Sequence, residues 1–184
     1  MPIEPPYPVF IRSKVIPGFG RGSSDLGIPT ANIPADDFTT SAVPHGQTGI
    51  YFGLAQVSGS YGSNNATNSP NKDDNDDSVT ATANTSLISG QDAKVLPMVM
   101  SVGWNPFYQN KQASAEVHIV HKFVNQFYGA NITIAVLGYI RPESDFVSIQ
   151  ALVDEINHDI EIMHDRLSQP EFAAVAADGA FSNT

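Results

Sequence analysis

The sequence predicts a mainly β protein, a small antiparallel barrel followed by one long C-terminal helix. Short runs rich in β-branched and aromatic residues, punctuated by Gly, Pro, Asn and Ser, dominate the chain as far as residue 141. Helical periodicity begins only after residue 143. Strands grouped first with a helix last, without β-α alternation, favour a closed antiparallel sheet over a parallel one.

Residues 7–16 read as the first strand. Residues 18–32 spend four glycines and a proline on one loop and end in two neutral oxygen donors, Thr30 and Asn32. Glycines let backbone N–H groups turn toward a ligand without Cβ obstruction. Such groups in succession form a concave site for phosphate oxygens. A hydroxyl and an amide carbonyl two residues apart can hold the hard cation that accompanies a nucleoside triphosphate. An ordinary turn after Pro29 accounts for the same residues.

Residues 48–58 and 94–104 supply further strands, as do 116–123 and 132–140. Residues 59–93 differ in kind: Ser, Asn, Thr, Gly and Asp dominate, and no aromatic follows Tyr61. Such a composition buries too little apolar surface to offset ordering entropy, so an insertion without structure is expected there. Its deletion is expected to leave activity intact. Its Asp73–Asp77 run lacks the Gly and the bidentate Glu of a calcium loop.

The helix is expected over 148–167, where Ile149, Val153, Ile156, Ile160, Met163 and Leu167 form one apolar stripe. Asp154, Glu155, Asp159, Glu161 and Asp165 read as its solvated face. Gln169-Pro170 should end it, leaving residues 171–184 as a frayed tail after a single domain over 1–170.

The bulk properties narrow the function. The 184 residues suit one domain with appendages, and a hydrophobic content of 41% supports a packed core. A net charge of −10 argues against a nucleic-acid partner, since backbone phosphates require clustered cations. Arg12, Lys14 and Arg21 nevertheless concentrate positive charge in or just before the glycine loop. No stretch has the length of an apolar membrane span, and the N-terminus lacks the pattern of a secretory signal. With no cysteine, disulfides and thiolate metal sites are excluded, and a cytoplasmic monomer is expected.

The glycine loop has neither the Gly-x-x-x-x-Gly-Lys-Ser/Thr pattern of a P-loop nor the accompanying motifs of protein kinases. Glu116 is the lone acidic residue between Asp92 and Glu143, in an otherwise apolar strand. A half-buried carboxylate there needs a partner or a purpose. It reads either as a proton acceptor or as a solvent-facing group paired with His118. Strand alternation puts Glu116 and His118 on one face, and Glu116 and His121 on opposite faces unless the strand bends. His118 and His121 read as structural histidines, not as a metal pair. Trp104, Phe107, Tyr108 and Phe146 offer aromatic surface for a flat ligand or for the core.

The motifs Gly18-Phe19-Gly20-Arg21-Gly22-Ser23 and Leu26-Gly27-Ile28-Pro29-Thr30-Ala31-Asn32 resemble those of the riboflavin kinases. Gly103-Trp104-Asn105-Pro106-Phe107-Tyr108, the Glu116–Phe123 stretch, Phe127-Tyr128-Gly129 and Gly138-Tyr139-Ile140-Arg141-Pro142-Glu143 follow in the same order. The similarity covers residues 7–58 and 94–170. It implies a six-stranded antiparallel Greek-key β-barrel with a C-terminal α-helix. The implied activity is ATP-dependent phosphorylation of riboflavin on the ribityl 5′-hydroxyl, giving FMN and ADP. ATP is the implied co-substrate and Mg²⁺ the expected ion, with Zn²⁺ or another divalent cation as alternatives.

By the resemblance, Gly18, Ser24 and Thr30 contact the ATP phosphates, and Thr30 and Asn32 contribute to the metal shell. The family often has a lysine where Ser24 stands, a loss for which Arg21 compensates. Glu116 is the implied base, and Ile119, His121 and Tyr128 border the adenine nucleotide. Arg141, Ser144 and Phe146 mark the flavin side. No second nucleotidyl-transfer domain accompanies these motifs, so FAD synthesis is not expected. The alternative is a flavin- or nucleotide-binding barrel without turnover.

Overall fold

The computed structural model describes residues 7–17, 28–34, 47–62, 85–104 and 113–181. Six strands form one antiparallel sheet: β1 (Val9–Lys14), β2 (Ala31–Ile33), β3 (Gly49–Ser58), β6 (Leu96–Trp104), β7 (Ala113–Ile119) and β8 (Asn131–Arg141). Their spatial order is β1-β8-β3-β6-β7-β2. Just beyond β1, the N–H of Ile16 donates to the carbonyl of Asn32 at 3.0 Å, joining the two edges of the curled sheet. The expected mainly β Greek-key barrel is therefore present.

Alternation along the strands separates two cores. Tyr51, Ala55 and Val57 of β3 point into the barrel with Met98, Met100, Val102, Ala115, Val117, Ile132 and Ile134. Phe52 and Leu54 point outward with Val99, Ala135 and Leu137. That outer cluster is covered by α1 (Ile149–Leu167) and α2 (Pro170–Ala176) through Met163, Phe172 and Val175. Ser148 caps α1, its hydroxyl accepting the N–H of Ala151 at 3.1 Å.

Three expectations change. Residues after 170 are not a frayed tail as far as Phe181: Pro170 opens α2 at its first turn, where a missing N–H costs nothing. Phe172, Val175 and Phe181 are buried, and Phe181 packs edge-on against Phe10. Asp159, expected on the solvated face of α1, is only 2% exposed. It lies three residues after Ile156 and four before Met163, inside the apolar stripe.

The described ends of the 59–93 stretch also carry structure. Strands β4 (Ser60–Gly62) and β5 (Thr85–Leu87) pair as a ribbon, and a 3₁₀ turn at Gly90–Ala93 returns the chain to β6. Residues 63–84, with the Asp73–Asp77 run, lie outside the described residues.

Candidate active site

The strand register builds the site. Asn32 pairs with Glu116, Glu116 with Ser101, Ser101 with Ile50, and Ile50 with Arg141. Five side chains on five adjacent strands thus form one row on the outer face of the barrel. The face is set by the neighbours: Ala31, Ile33, Ala115, Val117, Met100 and Val102 all point inward. Arg141 joins the row through a bulge. Tyr51 pairs with Tyr139 and Ile50 with Arg141, leaving Ile140 unmatched. The extra residue turns Arg141 outward, a common use of bulges beside functional sites. Gly49, at φ +141°, makes room there: a Cβ would come within 2.5 Å of the Arg141 carbonyl oxygen.

The row lines a cleft of ≈ 790 Å³ between the sheet and the N-terminal half of α1, with Leu152, Ile156 and Asp159 on the helix side. Asn32 is 4% exposed, and Glu116 and Ser101 are half-buried. Among the described residues, no hydrogen bond or ion pair engages the side chains of these three. Polar groups left in this way at a cleft wall are suited to a ligand. Their donors are all oxygen or amide groups, which fit a hard divalent cation such as Mg²⁺ better than zinc. Among the described residues, no three His, Cys, Asp or Glu side chains gather as a metal cluster.

Thr30 lines the same cleft. Its segment is fastened to β7 by His118, whose Nδ1 lies 2.9 Å from the Pro29 carbonyl and must donate to it. Gly18, Arg21 and Ser24, the remaining phosphate-side candidates, lie outside the described residues, as do Phe107 and Tyr108.

At the other end Arg141 is held by α1. Its Nε and Nη2 donate to the two oxygens of Asp159 at 2.8 and 2.7 Å, and Nε also lies 3.1 Å from Glu155. The bidentate hydrogen bond to Asp159 holds the guanidinium further above its ordinary pKa range, against the effect of burial. The Phe146 ring lies 5.8 Å from the guanidinium carbon, and Ser144 lines the cleft beside it. Trp104 is half-exposed and not part of the cleft wall. Glu143, also at the cleft, has its carboxyl raised in pKa by desolvation, partly opposed by a hydrogen bond with Thr48.

His121 shares the cleft with Glu116 because β7 ends at Ile119. A tight turn follows, with the N–H of His121 donating to the Ile119 carbonyl at 2.7 Å. The strand bends where strict alternation would have sent the imidazole to the far face. Ile119 itself points into the barrel core, while Tyr128 is 40% exposed on the cleft rim. The His121 Nε2 lies 2.7 Å from Asp92 Oδ1, a partner that composition had assigned to a structureless insertion.

This disposition gives a carboxylate and hard oxygen donors at one end of the cleft and an arginine fixed by α1 at the other. Fold and cleft together define a small antiparallel β-barrel with a ligand-sized cleft between its outer face and the long helix. The family model described as riboflavin kinase matches residues 5–167. A riboflavin kinase of Yarrowia lipolytica is 48% identical over 162 residues, covering 88% of this chain and 82% of the relative. One from Kluyveromyces lactis is 45% identical over 170 residues, covering 92% and 89%. The crystal structure of riboflavin kinase from Trypanosoma brucei superposes with a TM-score of 0.66 at 27% identity, covering 98% of this chain and 92% of that one. The chain belongs to the riboflavin kinase family.

Proposed function

We propose that the chain phosphorylates riboflavin at the ribityl 5′-hydroxyl, using ATP and giving FMN and ADP, with Glu116 as general base. The observation that carries this reading is the cross-strand row from Asn32 to Arg141. It sets a carboxylate with no protein partner among the described residues between oxygen donors on one side and a fixed arginine on the other.

Phosphoryl transfer requires positioning, charge neutralisation and an acceptor for the hydroxyl proton. The 5′-hydroxyl proton passes to a carboxylate oxygen of Glu116 as the hydroxyl oxygen bonds to the γ-phosphorus. The bond from that phosphorus to the β-γ bridging oxygen breaks, and ADP leaves with the bridging oxygen. Thr30 and Asn32 would hold Mg²⁺, which when bound neutralises charge on the phosphate oxygens. Gly18, Arg21 and Ser24 serve the phosphates, Ile119, His121 and Tyr128 the adenosine end, and Arg141, Ser144 and Phe146 the flavin. A net charge of −10 supports small-molecule substrates over nucleic acid, and the enzyme is taken as a cytoplasmic monomer.

Incubation with riboflavin, ATP and Mg²⁺, followed by chromatography, should yield FMN. Binding of both ligands without FMN formation would leave the non-catalytic barrel as the better reading. Glu116→Gln should lower kcat by about 10²- to 10⁴-fold, with both KM values nearly unchanged. Turnover close to the parent's would remove Glu116 as the base.

A further inference from the structure

Asp92 lies at the very end of the low-complexity stretch, yet it is rigidly placed. The 3₁₀ turn carrying it is tied to β3 by Gln56, whose Nε2 donates to the Ala93 carbonyl at 2.9 Å. Both carboxylate oxygens then reach across to the loop between β7 and β8. Oδ1 takes the His121 Nε2 contact at 2.7 Å, and Oδ2 accepts the N–H of Val124 at 3.3 Å.

That loop is otherwise held by its ends. The N–H of Val120 donates to Pro97 at 2.9 Å, and the N–H of Gly129 donates to Val15 at 2.8 Å. From Lys122 to Tyr128, among the described residues, the only hydrogen bond from outside the loop comes from Asp92. Phe123 stacks edge-on against His121 with centroids 4.8 Å apart and meets Phe127 at 4.3 Å. Fixing the imidazole therefore also orders the packing of Phe123 and, through it, Phe127.

We propose that Asp92 is a positioning residue for nucleotide binding, acting through His121 and the Val124 N–H to hold residues 121–128 against the cleft. This rests on the reading of His121 and Tyr128 as the adenosine end. One carboxylate serves two donors of the loop, so its removal frees both at once. Loss of hydrogen bonds to a charged acceptor makes the effect measurable.

The test uses the full chain with Asp92→Ala and Asp92→Asn. It measures calorimetric affinity for a non-hydrolysable ATP analogue with Mg²⁺, riboflavin affinity by fluorescence, steady-state kinetics and amide exchange. Asp92→Ala should weaken the analogue and raise KM for ATP by about 5- to 20-fold. Saturated kcat and riboflavin affinity should stay within about 2-fold, as expected for an effect confined to one substrate's ground-state binding. Exchange should quicken across residues 121–128 but not in β3 or β8. Asp92→Asn, which keeps one acceptor oxygen, should fall between, and it decides the matter if the alanine variant does not fold. Unchanged analogue affinity overturns the proposal. If exchange is also unchanged, the brace itself is refuted. If exchange quickens alone, the assignment of this loop to the nucleotide has failed.

Discussion

At each end of the cleft a basic side chain is gripped by a carboxylate from another part of the chain, and the two grips are built differently. Arg141 meets Asp159 through two parallel hydrogen bonds, with Glu155 as a second partner, and Asp159 is 2% exposed. His121 meets Asp92 through one contact, with side chains 21% and 17% exposed. The first grip staples the helix to the sheet and cannot be separated from packing. The second holds only a loop. Stability and ligand affinity should therefore move together at the Arg141 end and separately at the His121 end.

Asp159→Ala offers the largest test of that contrast. It leaves a largely buried guanidinium short of its main partner, which should cost about 3 kcal/mol, the lower end for a broken buried pair because Glu155 remains. Calorimetry should then show Tm falling by about 6–12 °C, with riboflavin affinity reduced in parallel. A normal Tm would put both grips in the same category. Arg141→Lys should come next. An ammonium cannot reproduce the planar fork, so riboflavin affinity should drop by about 10-fold with a smaller loss of Tm. An unchanged flavin titration would mean that the arginine serves only the helix.

The smallest effects come from trimming the insertion. Gly62 pairs with Thr85, so residues 63–84 can be replaced by a short glycine-containing turn between neighbouring ends. Kinetic constants should then stay within about 2-fold of the parent, because the pairing of Gly62 with Thr85 and the contacts of Asp92 are kept. Removing all of 59–93 should instead raise KM for ATP as Asp92→Ala does. Equal kinetics for the two deletions would erase the difference between the grips.

The strands, the long helix and Glu116 were legible because each rests on a local pattern. Alternation marks β3 and β8, a spacing of three and four marks α1, and a single carboxylate interrupts the apolar alternation of β7. What stayed hidden involves pairs distant in sequence. Asp159 looks like its acidic neighbours on the helix until Arg141 is placed beside it. The clue was its position within the stripe, between Ile156 and Met163. Asp92 is hidden by the composition around it, because a window average cannot single out one 3₁₀ turn of four residues. The tail carried a readable signal in Phe172 and Val175, one turn apart after Pro170. The bend after Ile119 has no such signal, since it depends on where β7 stops pairing with β6.

The row from Asn32 to Arg141 crosses four inter-strand gaps, and strands in a sheet lie about 4.8 Å apart. Backbone hydrogen bonding thus acts as a ruler, spacing the two ends of the row by about 19 Å along the sheet surface. No side-chain replacement can lengthen it. A one-residue slip of β7 would put Ala115 or Val117 in place of Glu116 and turn the carboxylate into the barrel. The separation of the two ends of the row is therefore a property of strand count and register, and the side chains only mark positions along that scale.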